Sequence, residues 1–183
     1  MKEAHEGQAA ERPGDEAILR ARAEALGLPI ADAGAEGDCD MVLEFAMIRS
    51  RFAILLEHVE AAVKIGEIFS IPQAPPHISG IIRRRGRVIA LVNLERFFRG
   101  QVDGIADADI ALVVRVRGKT FALQVEEIYG VTRLPRKDVL PVPDNFDRVE
   151  ARYISGVTLA GMSIVNMERL IEAEGFAARR TGA

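Results

Sequence analysis

The chain has 183 residues, 49% of them hydrophobic, enough to bury one substantial core or two small ones that share it. A formal net charge of -3 argues against the sequence-independent attraction to phosphate on which most nucleic-acid binders rely. The single cysteine, Cys39, cannot close an intramolecular disulfide, and no second thiol or clustered histidine completes a zinc site. The sequence therefore predicts a reducing, cytoplasmic setting with neither metal nor cofactor.

The opening residues Lys2, Glu3, His5 and Glu6 mix charges without the apolar stretch of a secretory signal, and no apolar run reaches membrane-spanning length. Residues 1-14 are polar and punctuated by glycine and proline, which predicts disorder. Asp15 can cap a helix over about 15-27: Ile18, Ala21, Ala25 and Leu28 recur at helical spacing, and Gly27 with Pro29 supplies the stop. Small and acidic residues from Ala31 to Asp40 read as a linker, so 1-40 forms an N-terminal segment. From Met41 the period changes to two. Met41, Leu43, Phe45 and Met47 line one face of a strand, and Ile110, Leu112, Val114 and Val116 do the same later. Each strand is followed by a tight turn, Arg49-Ser50-Arg51 and Arg117-Gly118-Lys119, that predicts a hairpin.

That parallel is one of four blocks that recur in the same order. Phe52-Ala53-Ile54 matches Phe121-Ala122-Leu123, and Ile78-Ser79-Gly80 matches Ile154-Ser155-Gly156. Val92-Asn93-Leu94-Glu95-Arg96-Phe97-Phe98 aligns with Val165-Asn166-Met167-Glu168-Arg169-Leu170-Ile171, each reading as a strand that enters a short helix capped by asparagine. Repeats over about 41-100 and 108-172 therefore predict two similar small β-units, each too small to stand alone, packed together as one domain over 41-172. The proline-bearing crossings Pro72 to Pro76 and Pro135 to Pro143 belong in loops or at sheet edges. Residues 173-183 form a tail that frays beyond Phe176.

The most informative feature is a hairpin in the first repeat. Ile78 to Ile82 rises, Arg83-Arg84-Arg85-Gly86-Arg87 turns, and Val88 to Val92 returns. Charge at an exposed tip is ordinarily just solvated. The second repeat supplies a control, because its equivalent tip carries Leu159, Ala160, Gly161 and Met162, with no positive charge. Crowded arginines repel one another, so their presence points to binding, and the planar guanidinium fork suits a carboxylate on a partner.

The run Gly80-Ile81-Ile82-Arg83-Arg84-Arg85-Gly86, between Pro75-Pro76-His77-Ile78 and Val88-Ile89-Ala90-Leu91-Val92-Asn93-Leu94, resembles the signature of CheW-like coupling proteins. The likeness extends over about 40-172: Phe45 to Val63 is similar to that family's opening hairpin, Ile110 to Val131 to its middle, and Tyr153 to Leu170 to its closing segment. The resemblance implies a mostly β fold of two SH3-like five-stranded barrels. It implies a non-enzymatic adaptor that contacts the cytoplasmic tip of chemoreceptors in a groove between barrels and pairs with the regulatory domain of a CheA-type histidine kinase, reaching the membrane only through receptors. On the same basis Arg85 and Gly86 occupy the family's arginine-glycine pair, implicated in receptor engagement, and Gly80 and Val59 fall near the receptor groove. Arg83 and Arg84 replace the family's asparagine and leucine, Ala61 replaces an acidic residue, and Asn93-Leu94-Glu95 replaces aspartate-leucine-arginine. These departures fit a divergent paralogue as well as a chemotaxis array.

Catalytic readings find little to rest on. His58 and His77 lack ligands at metal spacing, no nucleophile elbow, Walker loop or dinucleotide fingerprint occurs, and Glu57 with Glu60 and Glu126 with Glu127 recur as solvent-facing strand ends. The rival class is a small β-barrel that binds nucleic acid through the arginine hairpin, with Phe97 and Phe98 as stacking platform. Those phenylalanines match Leu170 and Ile171 in the other repeat, which makes them core residues and weighs against that alternative.

Overall fold

A computed structural model of the chain describes residues 30-31, 38-47, 50-100, 108-173 and 176. The helix expected over 15-27 lies outside the described residues, as do the segment 1-14 and the end 177-183 expected to fray. The first repeat supplies β2 (Cys39–Met47), β3 (Ser50–Leu55), β4 (Val59–Lys64), β5 (Ile78–Arg84), β6 (Arg87–Val92) and helix α1 (Leu94–Arg99). The second supplies β7 (Ile110–Val116), β8 (Lys119–Val125), β9 (Glu127–Pro135), β10 (Val139–Leu140), β11 (Ile154–Thr158), β12 (Ser163–Val165) and α3 (Met167–Glu172), with a one-turn helix α2 (Arg148–Ala151) before β11. Asparagine caps both repeat-closing helices as expected: Asn93 accepts from the Arg96 amide and Asn166 from the Arg169 amide.

Period-two patterning on β2 and β7 makes each a strand, and both of its faces are apolar. Leu43 and Phe45, with Leu112 and Val114, point into one central layer, while Val42 on one strand and Ala111 and Val113 on the other point into separate smaller cores. A strand buried on both sides must be covered twice, and the two repeats cover each other. One sheet runs β9-β2-β3-β12-β11-β10; the other runs β4-β7-β8-β6-β5. The opening hairpin of each repeat thus pairs with the closing strands of the other, antiparallel through β2 with β9 and β4 with β7, and parallel through β3 with β12 and β6 with β8. The chain leaving β9 turns at Arg136–Asp138 and returns as β10 against β11. In the other sheet the chain leaving β4 returns at Phe69 to bridge Ile81. These returns close two SH3-like barrels, here called the first (with β2 and β3) and the second (with β7 and β8).

Several residues depart from the sequence reading. Ile30–Ala31 forms a short strand, β1, parallel to Val131 and Thr132 at the outer edge of β9, where a linker was expected. An edge strand needs only backbone pairing, so side-chain periodicity does not announce it. Strand β2 starts at Cys39, two residues early, because Asp40 is fastened to the opposite strand end by the Arg136 guanidinium at 2.8 and 3.0 Å. Phe176, assigned to the tail, is 2% exposed and makes ring contacts with His77, Phe97 and Phe121. Phe98 stacks on Tyr153, so both phenylalanines read as core residues lie in an aromatic cluster joining α1 to the second repeat.

Glu150 on α2 is buried near Arg99 of α1, and Asp147 caps its helix. Burial pushes the Glu150 carboxyl above its ordinary value, Arg99 opposes this, and Asp147 adds to it. A raised carboxyl in the folded state means that the native chain holds its proton more tightly than the unfolded one, so stability falls as pH rises through that window. Glu150→Gln is expected to raise Tm at neutral pH and to flatten the fall of Tm as pH rises from the ordinary carboxylate range toward neutrality. Thermal melts across that range check it. Leu43→Ala, at a fully buried position of the central layer, is expected to cost about 2–5 kcal/mol. Urea unfolding followed by circular dichroism and by tyrosine fluorescence should still give coincident transitions, since neither barrel is complete without both repeats.

Candidate functional site

The arginine hairpin is built on a two-residue turn in which Arg85 has φ 46° and Gly86 φ 76°. Positive φ at both central positions is the primed turn whose twist matches that of the flanking strands. Glycine adopts it freely; arginine at the first position carries backbone strain. The same turn recurs at Arg117 and Gly118, with φ 47° and 78°, and there the arginine is neutralised. Arg117 donates to Glu168 at 3.0 Å and to Glu172 on α3, and these two carboxylates, Glu168 foremost, raise its pKa. Among the described residues the hairpin that holds Arg85 has no such partners. Among the described residues, Arg83, Arg84, Arg85 and Arg87 meet no carboxylate within ion-pair distance, although Arg84 and Arg87 stand directly opposite each other across the ladder. Facing like charges destabilise a strand pair, so the fold keeps an unfavourable, solvent-facing cluster of positive charge.

Apolar surface lies beside this charge. On β6, alternate residues Val92, Ala90 and Val88 share one face and pass from buried through half-buried to 63% exposed. The face that packs in the central layer at Val92 therefore emerges from between the barrels toward the hairpin tip. Arg83 is opposite Val88 and Ile81 is opposite Ala90 on the same face. Phe69, 40% exposed, extends the strip through reciprocal 2.9 Å backbone hydrogen bonds with Ile81. The result is an apolar strip edged by arginine.

The residues singled out from sequence thus divide into two groups. Arg83, Arg85 and Gly86 are exposed and Arg84 is half-buried, all at the tip. Val59 is fully buried in the central layer and Gly80 is buried beneath the strip, so neither presents side-chain surface. Gly80 has φ 147°, and a Cβ there would lie 2.6 Å from the Phe69 carbonyl oxygen. Its repeat counterpart Gly156 is closed in the same way by Leu140. These glycines recur because the returning chain crosses each barrel at backbone contact. Val88 and Phe69 were missed by sequence reasoning; the Val88-Ala90-Val92 alternation was the available signal, whereas Phe69 sits in an irregular stretch with no period. Among the described residues no group of three or more His, Cys, Asp or Glu side chains is placed to hold a metal ion.

The fold thus pairs two small barrels and carries a surface strip of mixed apolar and cationic character. The model of the CheW-like domain matches residues 41–175, and the chain belongs to that family of chemotaxis scaffold proteins. It is 25% identical over 126 residues to the chemotaxis protein CheW of Treponema pallidum, covering 67% of this chain and 74% of that one. It is 24% identical over 127 residues to protein FrzA of Myxococcus xanthus, covering 67% and 79%. Among solved structures, the scaffolding protein TtCheW from Thermoanaerobacter tengcongensis shares the fold at a TM-score of 0.64 and 21% identity, covering 75% of this chain and 95% of that one.

Gly80→Ala is expected to destabilise the protein by about 2 kcal/mol or more, because a methyl group meets backbone at a strained φ. Arg85→Ala, at an exposed position, should leave the urea midpoint unchanged. Parallel urea titrations of both variants check the separation between support and surface.

Proposed function

We propose that this chain is an adaptor, without chemistry of its own, that couples chemoreceptors to a CheA-type histidine kinase. The observation that carries this reading is the cluster of four arginines without carboxylate partners among the described residues, set on the apolar strip that emerges between the barrels. A receptor's cytoplasmic tip would place apolar side chains along Phe69, Ile81, Ala90 and Val88 and offer a carboxylate to Arg85, with Arg83 and Arg84 adding attraction. Val59 and Gly80 would shape the floor from beneath. The kinase's regulatory domain would occupy another face of the barrels, so that the receptor's conformational bias reaches the kinase as a difference in binding free energy. The setting is cytoplasmic, with the membrane reached through receptors; among the described residues no helix is long and apolar enough to cross one.

The nucleic-acid alternative gains no support from the hairpin's surroundings. Phe97 and Phe98 pack against Tyr153, and Phe97 also against His77 and Phe176, away from any stacking role. Co-sedimentation with receptor-bearing membranes and kinase tests the proposal. The wild-type chain should sediment with both, and Arg85→Glu should lose about tenfold in receptor affinity, roughly 1.4 kcal/mol, with an unchanged melting temperature. Undiminished receptor binding by Arg85→Glu would overturn the site. Absence of co-sedimentation by the wild type, together with tight and steeply salt-dependent binding of a labelled oligonucleotide, would overturn the function.

A further inference from the structure

Two edge strands hold equivalent places in the repeat, β9 in the first barrel and β4 in the second, and they are protected differently. The Arg136 amide donates to the Asp38 carbonyl at 3.0 Å, and the Ile65 amide to the Asp109 carbonyl at 2.7 Å. Alternation from those bonds turns the backbone groups of Val131, Arg133 and Pro135 on β9, and of Ala62 and Lys64 on β4, toward the outer edge. Pro135 is tolerated because its missing N–H would face outward. On β4, the Lys64 side chain is 88% exposed and keeps other strands away; among the described residues none pairs with that edge. On β9 the corresponding residue, Arg133, is half-buried, and Tyr129 adds an exposed aromatic ring. There the edge is covered by β1, with Ile30 beside Val131 and Ala31 beside Thr132.

This cover is additional to the barrel. Among the described residues the second barrel closes without a counterpart of β1, and the family match begins at residue 41, beyond it. Its hold is slight: two residue pairs on a strand of nine, in the parallel sense, which is the weaker pairing per residue. Downstream, Arg136 grips Asp38 and Asp40. That grip fixes the chain to the body of the first barrel between β1 and β2, so β1 can leave its seat without unravelling β2.

We propose that Ile30–Ala31 is a displaceable guard on β9, and that the edge it covers, once bared, pairs antiparallel with the same edge of a second copy. Centred on Val131, such a ladder sets the outward backbone groups of Val131 against those of its own copy. It also places Arg133 opposite Tyr129 of the second copy, with no like charges opposed. The contact uses one surface twice, so it is isologous and closes at two chains. This goes beyond the adaptor reading. A dimer of this kind carries the arginine-edged strip twice, so release of the guard would raise avidity for clustered partners.

Two measurements on the full chain test this. Amide hydrogen exchange of the wild type reads the guard: the Val131 amide, turned toward β1, should exchange about a hundredfold faster than the Thr132 and Leu134 amides, which bond β2. Equal protection of all three overturns a displaceable guard. Sedimentation velocity reads the edge. The Ile30→Pro, Ala31→Pro double variant loses the ladder donors of β1, and both positions lie outside the closed barrel, so its circular dichroism should match the wild type. It should form a dimer, and nothing larger, at concentrations where the wild type is monomeric. Within that variant, Tyr129→Lys should weaken the dimer about tenfold by setting a lysine on the edge. Arg133→Pro, which removes an outward donor, should do the same and carries the test if Tyr129→Lys fails to fold. A double variant that stays monomeric overturns the proposal. So does growth past two chains, a wild type that dimerises equally well, or a dimer that neither edge variant weakens. Receptor coupling is read separately by co-sedimentation.

Discussion

The pairing of β2 with β9, and its counterpart between β4 and β7, is the constraint on which the molecule depends. Cys39 to Ala46 run against Pro135 to Glu127, and Val59 to Lys64 against Val114 to Ile110. Each ladder joins one repeat to the other. The hairpin at the start of each repeat has two apolar faces, and only the exchange covers both: one inside its own barrel, the other in the central layer of Leu43, Phe45, Ile54, Leu112, Val114 and Leu123. Contacts of this sequence separation are slow to find, because loop closure precedes the burial that rewards it. Once formed, they make the two barrels a single cooperative body.

That rigidity gives the arginine hairpin its character. A primed turn pins Arg85 and Gly86, and cross-strand pairing holds Arg84 opposite Arg87, so the charges cannot relax away from one another by moving the backbone. Arg117, on an identical turn, shows how the fold neutralises a tip when it does so internally, through Glu168 and Glu172 on α3. The contrast separates a guanidinium that ties two barrels together from guanidinium groups turned outward beside Val88 and Phe69.

Function in a duplicated fold grows where the copies diverge. Ser-Gly in β5 and β11, asparagine before α1 and α3, and the chain return at Phe69 and β10 are kept in both halves because backbone contacts and helix caps demand them. The hairpin tips, Arg83 to Arg87 against Leu159 to Met162, carry no such demand. They are free to differ, and they do so in charge.

Much of this was legible in the residues themselves. Period-two patterning announced β2 and β7, four ordered blocks announced the duplication, the match of Phe97 and Phe98 to Leu170 and Ile171 placed Phe98 in the core and Phe97, half-buried, against it, and the crowded arginines marked the tip, because each of these signals is local in sequence or repeated along it. What the sequence left open is everything set by segments that meet in space. Which repeat completes which barrel is decided by pairing between strands some eighty to a hundred and ten residues apart. That Val59 and Gly80 are buried and present no surface is decided by the central layer and by the close passage of Phe69. The strand at Ile30–Ala31 and the burial of Phe176 arise where a free edge and an aromatic gap are filled by whatever chain lies within reach, and a vacancy of that kind is written in the assembled fold, not in the order of residues.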